Sequence, residues 1–159
     1  MEIQEYRPGA LGRMVELHAA YYSEAAGFGA FFEAKVASEM AAFLQDYRPG
    51  MDGMWTMAAD GAIEGGVAIQ LTDRQQGHAD LRWFILSERV RGKGMGSALL
   101  ERALRHCRDC GMSRVTLWTF AGLHAARTLY ERQGFRLVEE RSGRQWGSEV
   151  LEQRFVLDL

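Results

Sequence analysis

Two hydrophobic periods alternate along the chain. From Ala10 to about Ala26 residues recur at helical spacing, with Leu11, Met14, Val15 and Leu17-His18 forming a stripe that Tyr21-Tyr22 continues, and Gly27-Phe28-Gly29 breaks the pattern. A second helix is predicted from Phe31 to about Tyr47, carrying Phe32, Val36, Met40, Phe43 and Leu44. After Pro49-Gly50 the pattern shortens. Met54–Ala58 and Ile63–Leu71 read as strands around the turn Asp60-Gly61, and Leu81–Leu86 is dense enough in apolar residues for a central strand.

The clearest helix runs from Gly94 to Cys110, where Leu99-Leu100, Ala103-Leu104 and Cys107 recur at three-to-four spacing and Gly111 supplies a C-terminal cap. Val115–Phe120 is a strand, and Ala125–Gln133 is a helix stopped by Gly134. Phe135–Arg141 and Val150–Leu157 are two final strands, and residues 2–7 a first one. The order predicts a mixed α/β fold with one principal sheet. Neither a linker nor a repeat interrupts residues 1–159, so one domain is expected.

Composition narrows the function classes. Hydrophobic residues make up 47% and charged residues 25%, ordinary for a globular chain, and the net charge of -2 gives no field favouring nucleic acid or an anionic membrane. No apolar run approaches the roughly 20 residues that cross a bilayer. The start, Met1-Glu2-Ile3-Gln4, has no basic segment followed by an apolar one, so a cytoplasmic location is expected. Cys107 and Cys110 form a C-x-x-C pair beside His106. No second pair completes the about four ligands of a structural zinc site, so they read as small helix residues and no metal is expected.

The strongest chemical signal comes after Leu86. Ser87-Glu88-Arg89-Val90 leads into Arg91-Gly92-Lys93-Gly94-Met95-Gly96-Ser97, where a helix begins. Three alternating glycines between strand and helix bare a row of backbone N–H groups at the positive end of a helix dipole, which suits a diphosphate. Glycines at 94 and 96 would admit phosphate oxygens close to the backbone, and Arg91 and Lys93 add charge. A glycine-rich turn with two solvated cations reads the same locally. The Walker pattern fails because Gly94 follows Gly92-Lys93. The dinucleotide fingerprint fails because Ser97 or Leu99 stands where its last glycine or alanine belongs. What fits is Arg-x-x-Gly-x-Gly as Arg91, Gly94 and Gly96.

With that motif, and with Ala125-Ala126-Arg127-Thr128-Leu129-Tyr130 running on to Gly134-Phe135, the chain resembles the general N-acetyltransferase (GNAT) superfamily. A narrower resemblance, carried by Leu81-Arg82-Trp83, Leu117-Trp118-Thr119-Phe120 and the stretch from Gln145-Trp146-Gly147 to Glu152-Gln153-Arg154, is to acetyltransferase domains often fused to MarR-type regulators. No winged-helix segment lies within these residues, so neither a nucleic-acid nor a membrane partner is expected. The resemblance implies a GNAT-like, mostly antiparallel sheet splayed at the cofactor site and flanked by about four helices. It also implies acetyl-CoA as cofactor and an amine acceptor, a small molecule or a peptide; a homodimer stays open. Phe84, Ile85 and Leu86 would meet the pantetheine, and Gly92, Lys93, Gly94, Met95, Gly96 and Ser97 the pyrophosphate. Tyr130 would point at the cofactor sulfur. Many members carry Asn seven residues before that Tyr. Here Leu123 stands there, and His124 could take over the contact or merely open a helix.

N-acetylation needs a neutral amine, so a base is wanted, and the resemblance offers a backbone N–H near Leu86 for the developing oxyanion. Asp80 is the base candidate, with a solvated strand-end carboxylate as its other reading. His78, Glu24 and Glu149 are reserves, and a water chain would also serve. Tyr130 either protonates the departing thiolate or packs a helix–sheet seam. Tyr21, Tyr22, Phe28, Phe31, Phe32, Arg144 and Trp146 fall on elements that line the acceptor site in this fold. An acyl-CoA sensor without turnover is the main alternative to an enzyme.

Overall fold

The computed structural model describes residues 1–159. Along the chain run β1 (Glu2–Glu5), α1 (Ala10–Ala26), α2 (Ala30–Gln45), β2 (Gly53–Ala59), β3 (Ala62–Asp73), β4 (His78–Leu86), a 3-10 turn (Glu88–Val90), α3 (Met95–Asp109), β5 (Arg114–Phe120), α4 (His124–Arg132), β6 (Arg136–Gly143) and β7 (Val150–Asp158). Seven strands form one sheet in the order β1-β2-β3-β4-β5-β7-β6. All neighbours are antiparallel except β4 and β5. None of the four helices is long and apolar enough to cross a membrane.

Strand alternation divides the core between the two faces of the sheet. Trp55, Met57, Val67, Ile69, Val115 and Leu117 pack with Leu99, Leu100 and Leu104 of α3 on one face. Met54, Ala68 and Phe120 pack with Met14, Phe32, Val36 and Met40 of α1 and α2 on the other.

Two irregularities interrupt the middle of the sheet. β4 and β5 pair only over His78↔Arg114, Ala79↔Val115 and Asp80↔Thr116. Beyond Asp80 the two strands run on without pairing, and the sheet opens between them. β4 also bulges. Gly66 faces Ile85 while Ala68 faces Arg82, so Trp83 and Phe84 together oppose Val67. Trp83 takes the left-handed conformation, φ 54°, as a bulge residue can. The extra residue reverses the alternation: Leu81 packs on the α3 face, yet Ile85, four residues on, packs on the α1/α2 face.

Element limits differ from the sequence reading where tertiary contacts decide. α2 ends at Gln45 rather than Tyr47, because Arg48 donates its backbone N–H to the Asp52 carboxylate (2.9 Å) and turns the chain before Pro49-Gly50. Tyr47 still packs edge-on against Phe43, 5.6 Å between ring centroids. β4 begins at His78, three residues early, because its parallel pairing with β5 lies there; Asp80 is therefore inside the strand. His124 opens α4 rather than preceding it.

Candidate active site

The opening between β4 and β5 is a cavity of about 340 Å³. β4 contributes Asp80, Arg82, Trp83 and Phe84 to its wall, and β5 contributes Thr116, Trp118 and Phe120. His18 and Tyr22 reach it from α1, Phe32, Lys35 and Glu39 from α2, Tyr130 from α4, and Gln145 and Trp146 from the β6–β7 loop.

Past the end of β4 the glycine loop leads into α3. Gly92 (φ 71°) and Gly94 (φ 78°) are left-handed, and a Cβ at either would meet nothing within 4 Å. Gly94 is the N-cap of α3 and offers no side chain to it. The first helical hydrogen bond runs from the Ala98 N–H to the Gly94 carbonyl (3.2 Å). By helix geometry the amides of Met95, Gly96 and Ser97 therefore have no intrahelical acceptor. An open loop, two conformationally special glycines and a row of free amides together make an anion cradle.

Packing requires a glycine at position 96. It is buried, and a Cβ there would lie 2.8 Å from Leu129 Cδ1, 3.3 Å from Leu86 Cδ1 and 3.4 Å from the Phe84 ring. Its missing side chain lets α3 settle on α4 and on the end of β4, where Phe84 joins the cavity wall. The two cations of the loop are partly engaged. Arg91 Nε donates to the Leu86 carbonyl (2.9 Å), and its guanidinium lies 4.4 Å above the Tyr21 ring. Lys93 Nζ donates to the Arg89 carbonyl (2.9 Å). Beneath the loop, buried Glu64 accepts from Arg89 (2.6 Å) and Arg13 (3.4 Å), anchoring the 3-10 turn to β3 and α1. Ser87 and the Arg89 and Arg13 charges hold the Glu64 carboxyl below the ordinary carboxylate range.

Tyr130 is buried, with Phe84 5.8 Å, Phe135 6.1 Å and Phe155 6.2 Å away between centroids. Burial pushes its hydroxyl well above the usual phenol range, so it stays protonated. Asp80 sits at the last paired position of β4, where the opening begins. Burial raises its carboxyl above the ordinary range, and the nearby Arg82 charge partly opposes that.

Other sequence candidates fall elsewhere. The side chains of Ile85 and Leu86 are buried in the cores on opposite faces of the sheet, their main chain pairs with Gly66 and Gly65 of β3, and the Leu86 carbonyl accepts from Arg91. His124 is exposed at the start of α4 and is not on the cavity wall. Nor are His78, Glu24 or Arg144, and Glu149 accepts from Ser142 Oγ (2.8 Å). Phe28 is core, and exposed Phe31 packs against Gly147 of the β6–β7 loop. Cys107 lies on the buried face of α3, with burial raising its thiol to about 12, and Cys110 Sγ contacts the Gly50 carbonyl (3.1 Å).

Sequence reasoning gives no site role to His18, Lys35, Glu39 or Gln145. His18 Nδ1 must donate to the Met14 carbonyl (2.7 Å), since a carbonyl only accepts. Burial lowers its pKa to about 4, so the ring is neutral. Gln145 is held by a buried carboxylate in β7: Glu152 accepts from the Gln145 backbone N–H (3.0 Å), from Gln145 Nε2 (2.9 Å) and from Arg141 Nε (3.2 Å). That staple fixes the loop so that Trp146 lies 5.4 Å from the Phe120 ring, between centroids.

Comparison with known proteins agrees with this geometry. Residues 12–135 match the model of the acetyltransferase (GNAT) family. The chain is 32% identical over 117 residues to N-acetylaspartate synthetase of Rattus norvegicus, covering 73% of this chain and 39% of that protein. It is 31% identical over 86 residues to an uncharacterized N-acetyltransferase of Escherichia coli, covering 54% of this chain and 52% of the relative. It thus spans about half or less of each. Among solved structures, a ribosomal-protein-alanine N-acetyltransferase from Brucella melitensis superposes with a TM-score of 0.79 at 14% identity over the whole of both chains. An acetyltransferase structure from Salmonella typhimurium with its cofactor acetyl-CoA gives 0.76 at 15% identity, over 99% of this chain and 93% of the other. The family match, on a sheet split between β4 and β5 beneath an uncapped helix N-terminus, identifies the chain as a member of the GNAT acetyltransferase family.

Proposed function

We propose that this chain transfers an acetyl group from acetyl-CoA to the primary amine of a small acceptor. The observation that carries the reading is the coincidence of two features. The strands part directly after Asp80↔Thr116, and the glycine loop opens α3 with Gly96 against Phe84, a residue of the cavity wall.

The residues present fit the cofactor. Gly92 and Gly94 border open space without Cβ atoms, and beside them the amides of Met95, Gly96 and Ser97, which lack helical acceptors, would hold a pyrophosphate. Arg91 and Lys93 would add charge at its rim. Phe84, with the unpaired main-chain edge of β4 through Ile85 and Leu86, would take the pantetheine arm. The bound cofactor supplies an activated acetyl thioester. Asp80, its carboxyl raised by burial, accepts the proton of the acceptor ammonium at its carboxylate. Tyr130, kept neutral by the same effect, holds a proton at its hydroxyl on the other side of the gap for the departing sulfur. The narrower likeness to domains fused with MarR-type regulators bears on the acceptor side, since Arg82, Trp83 and Trp118 line the cavity.

Calorimetric titration with acetyl-CoA, combined with thiol release across a panel of amines, tests the reading. Binding with amine-dependent thiol release is expected. Failure to bind acetyl-CoA would refute it. Binding without release from any amine would leave a sensor.

A further inference from the structure

The cavity wall carries more charge than acetyl transfer requires. Glu39 lies between two cations: Lys35 Nζ donates to one carboxylate oxygen (2.6 Å) and Arg82 to the other (2.6 Å). Arg82 is fixed further, donating to Gln70 Oε1 (3.0 Å) and lying 4.1 Å above the Trp83 ring. One carboxylate shared by two cations leaves one positive charge uncompensated. No other titratable group on the wall pairs with either cation. His18 is neutral, and burial holds Tyr22 and Tyr130 as neutral phenols. Asp80 pairs directly with no cation, although the Arg82 charge reaches it, so it stands as a negative pole beside the positive one.

The positive pole also has donors to spare. A guanidinium has five N–H groups and an ammonium three. Two of Arg82's and one of Lys35's are spent in the bonds above, so roughly three and two remain. A guanidinium braced on a ring and a carboxylate is a preorganised fork for a second carboxylate. Asp80 and Arg82 lie on the same face of β4 two residues apart, a spacing of about 7 Å. The cavity of about 340 Å³ must also admit the thioester end of a cofactor. That leaves room for a small acceptor only.

We infer that the acceptor is a small amino-acid-type zwitterion, its ammonium directed to Asp80 and its carboxylate to the Lys35–Arg82 pair. The inference rests on the acetyltransferase reading and adds the acceptor's chemical class.

The test compares free amino acids with the amines obtained by removing their carboxylate, with acetyl-CoA affinity measured alongside. The amino acids should be favoured in kcat/KM by about 10- to 100-fold, the range of a charge-assisted hydrogen-bonded pair. Lys35→Met and Arg82→Gln should each raise KM for the amino acid and shrink that preference, with acetyl-CoA affinity unchanged. Lys35 lies on a helix surface, so its variant keeps the test valid if Arg82→Gln folds poorly. Equal or better use of the decarboxylated amines overturns the acceptor class while sparing the acetyltransferase reading. So does a preference that survives both substitutions, or binding of acetyl-CoA with neither set acetylated. Absence of acetyl-CoA binding removes both.

Discussion

On one side of Phe84 the candidate site is backbone, and on the other it is side chains. The α3 loop offers amides of consecutive residues, shaped by left-handed Gly92 and Gly94. The cavity wall is assembled from residues far apart in the chain, as in the Arg82–Glu39 pair, whose members are 43 positions apart. A backbone site is damaged by adding atoms; a side-chain site is damaged by removing charge or a proton. The two regions should therefore fail separately, one through cofactor affinity and the other through turnover and acceptor KM.

The largest separation is expected from Tyr130→Phe, which deletes one hydroxyl and keeps the ring among Phe84, Phe135 and Phe155. Turnover should fall by about 10²–10⁴-fold, as for a general acid. Calorimetry should show acetyl-CoA affinity little changed. A lowered melting temperature with normal turnover would assign the residue to packing.

Next comes a contrast within the loop. Gly94→Val adds a side chain in the open concavity at a left-handed position. The strain is about 1–2 kcal/mol, and acetyl-CoA affinity should drop by more than tenfold. Gly96→Val drives a methyl into Leu129 and should cost about 1–3 kcal/mol by overpacking. Its melting temperature and its affinity fall together. If both variants bind acetyl-CoA normally, the cradle is misassigned.

Glu152→Gln should act on the acceptor side alone. Burial by itself would raise the Glu152 carboxyl, but bonds from Gln145 and Arg141 outweigh it and hold the pKa below the reference 4.5. A depressed folded pKa stabilises the fold above that value, and the contribution is lost as pH falls through the folded pKa. Acid unfolding of the parent should therefore be steeper than that of the variant. At neutral pH the variant should lose about 1–3 kcal/mol by denaturant titration, and acceptor KM should rise as Gln145 and Trp146 loosen. The smallest effect belongs to Lys93→Ala. Its exposed charge should change acetyl-CoA affinity by a few-fold at low salt and hardly at all at high salt.

The same contrast explains what is readable in the sequence. The helices and strands obey local periodicity, and the loop is a contiguous run rich in glycine, so both can be read directly. Tyr130 can be read because a motif surrounds it. The polar wall cannot. Lys35 and Glu39 look like a solvated helix pair until α2 packs over β4 and brings them to Arg82. His18 reads as one more member of a buried stripe. The bulge at Trp83 is hidden in an apolar run, and without it Ile85 would be placed on the wrong face. Gly96 reads like Gly94 because spacing cannot tell a glycine beside open space from one that admits a neighbouring helix. His124, Glu24 and Glu149 are plausible by type, but the sheet keeps them off the cavity.

An amide chemical-shift titration of the labelled protein with acetyl-CoA probes the pairing of loop and strand gap in one experiment. Saturable shifts should concentrate at Gly92–Ser97 and at Trp83–Leu86, where β4 leaves β5. The distant hollow of about 200 Å³ around Gly50, Gly77 and Cys110 should stay unchanged. Absence of saturable shifts, or shifts centred on that hollow with the loop unmoved, would contradict a cofactor site built from these two elements.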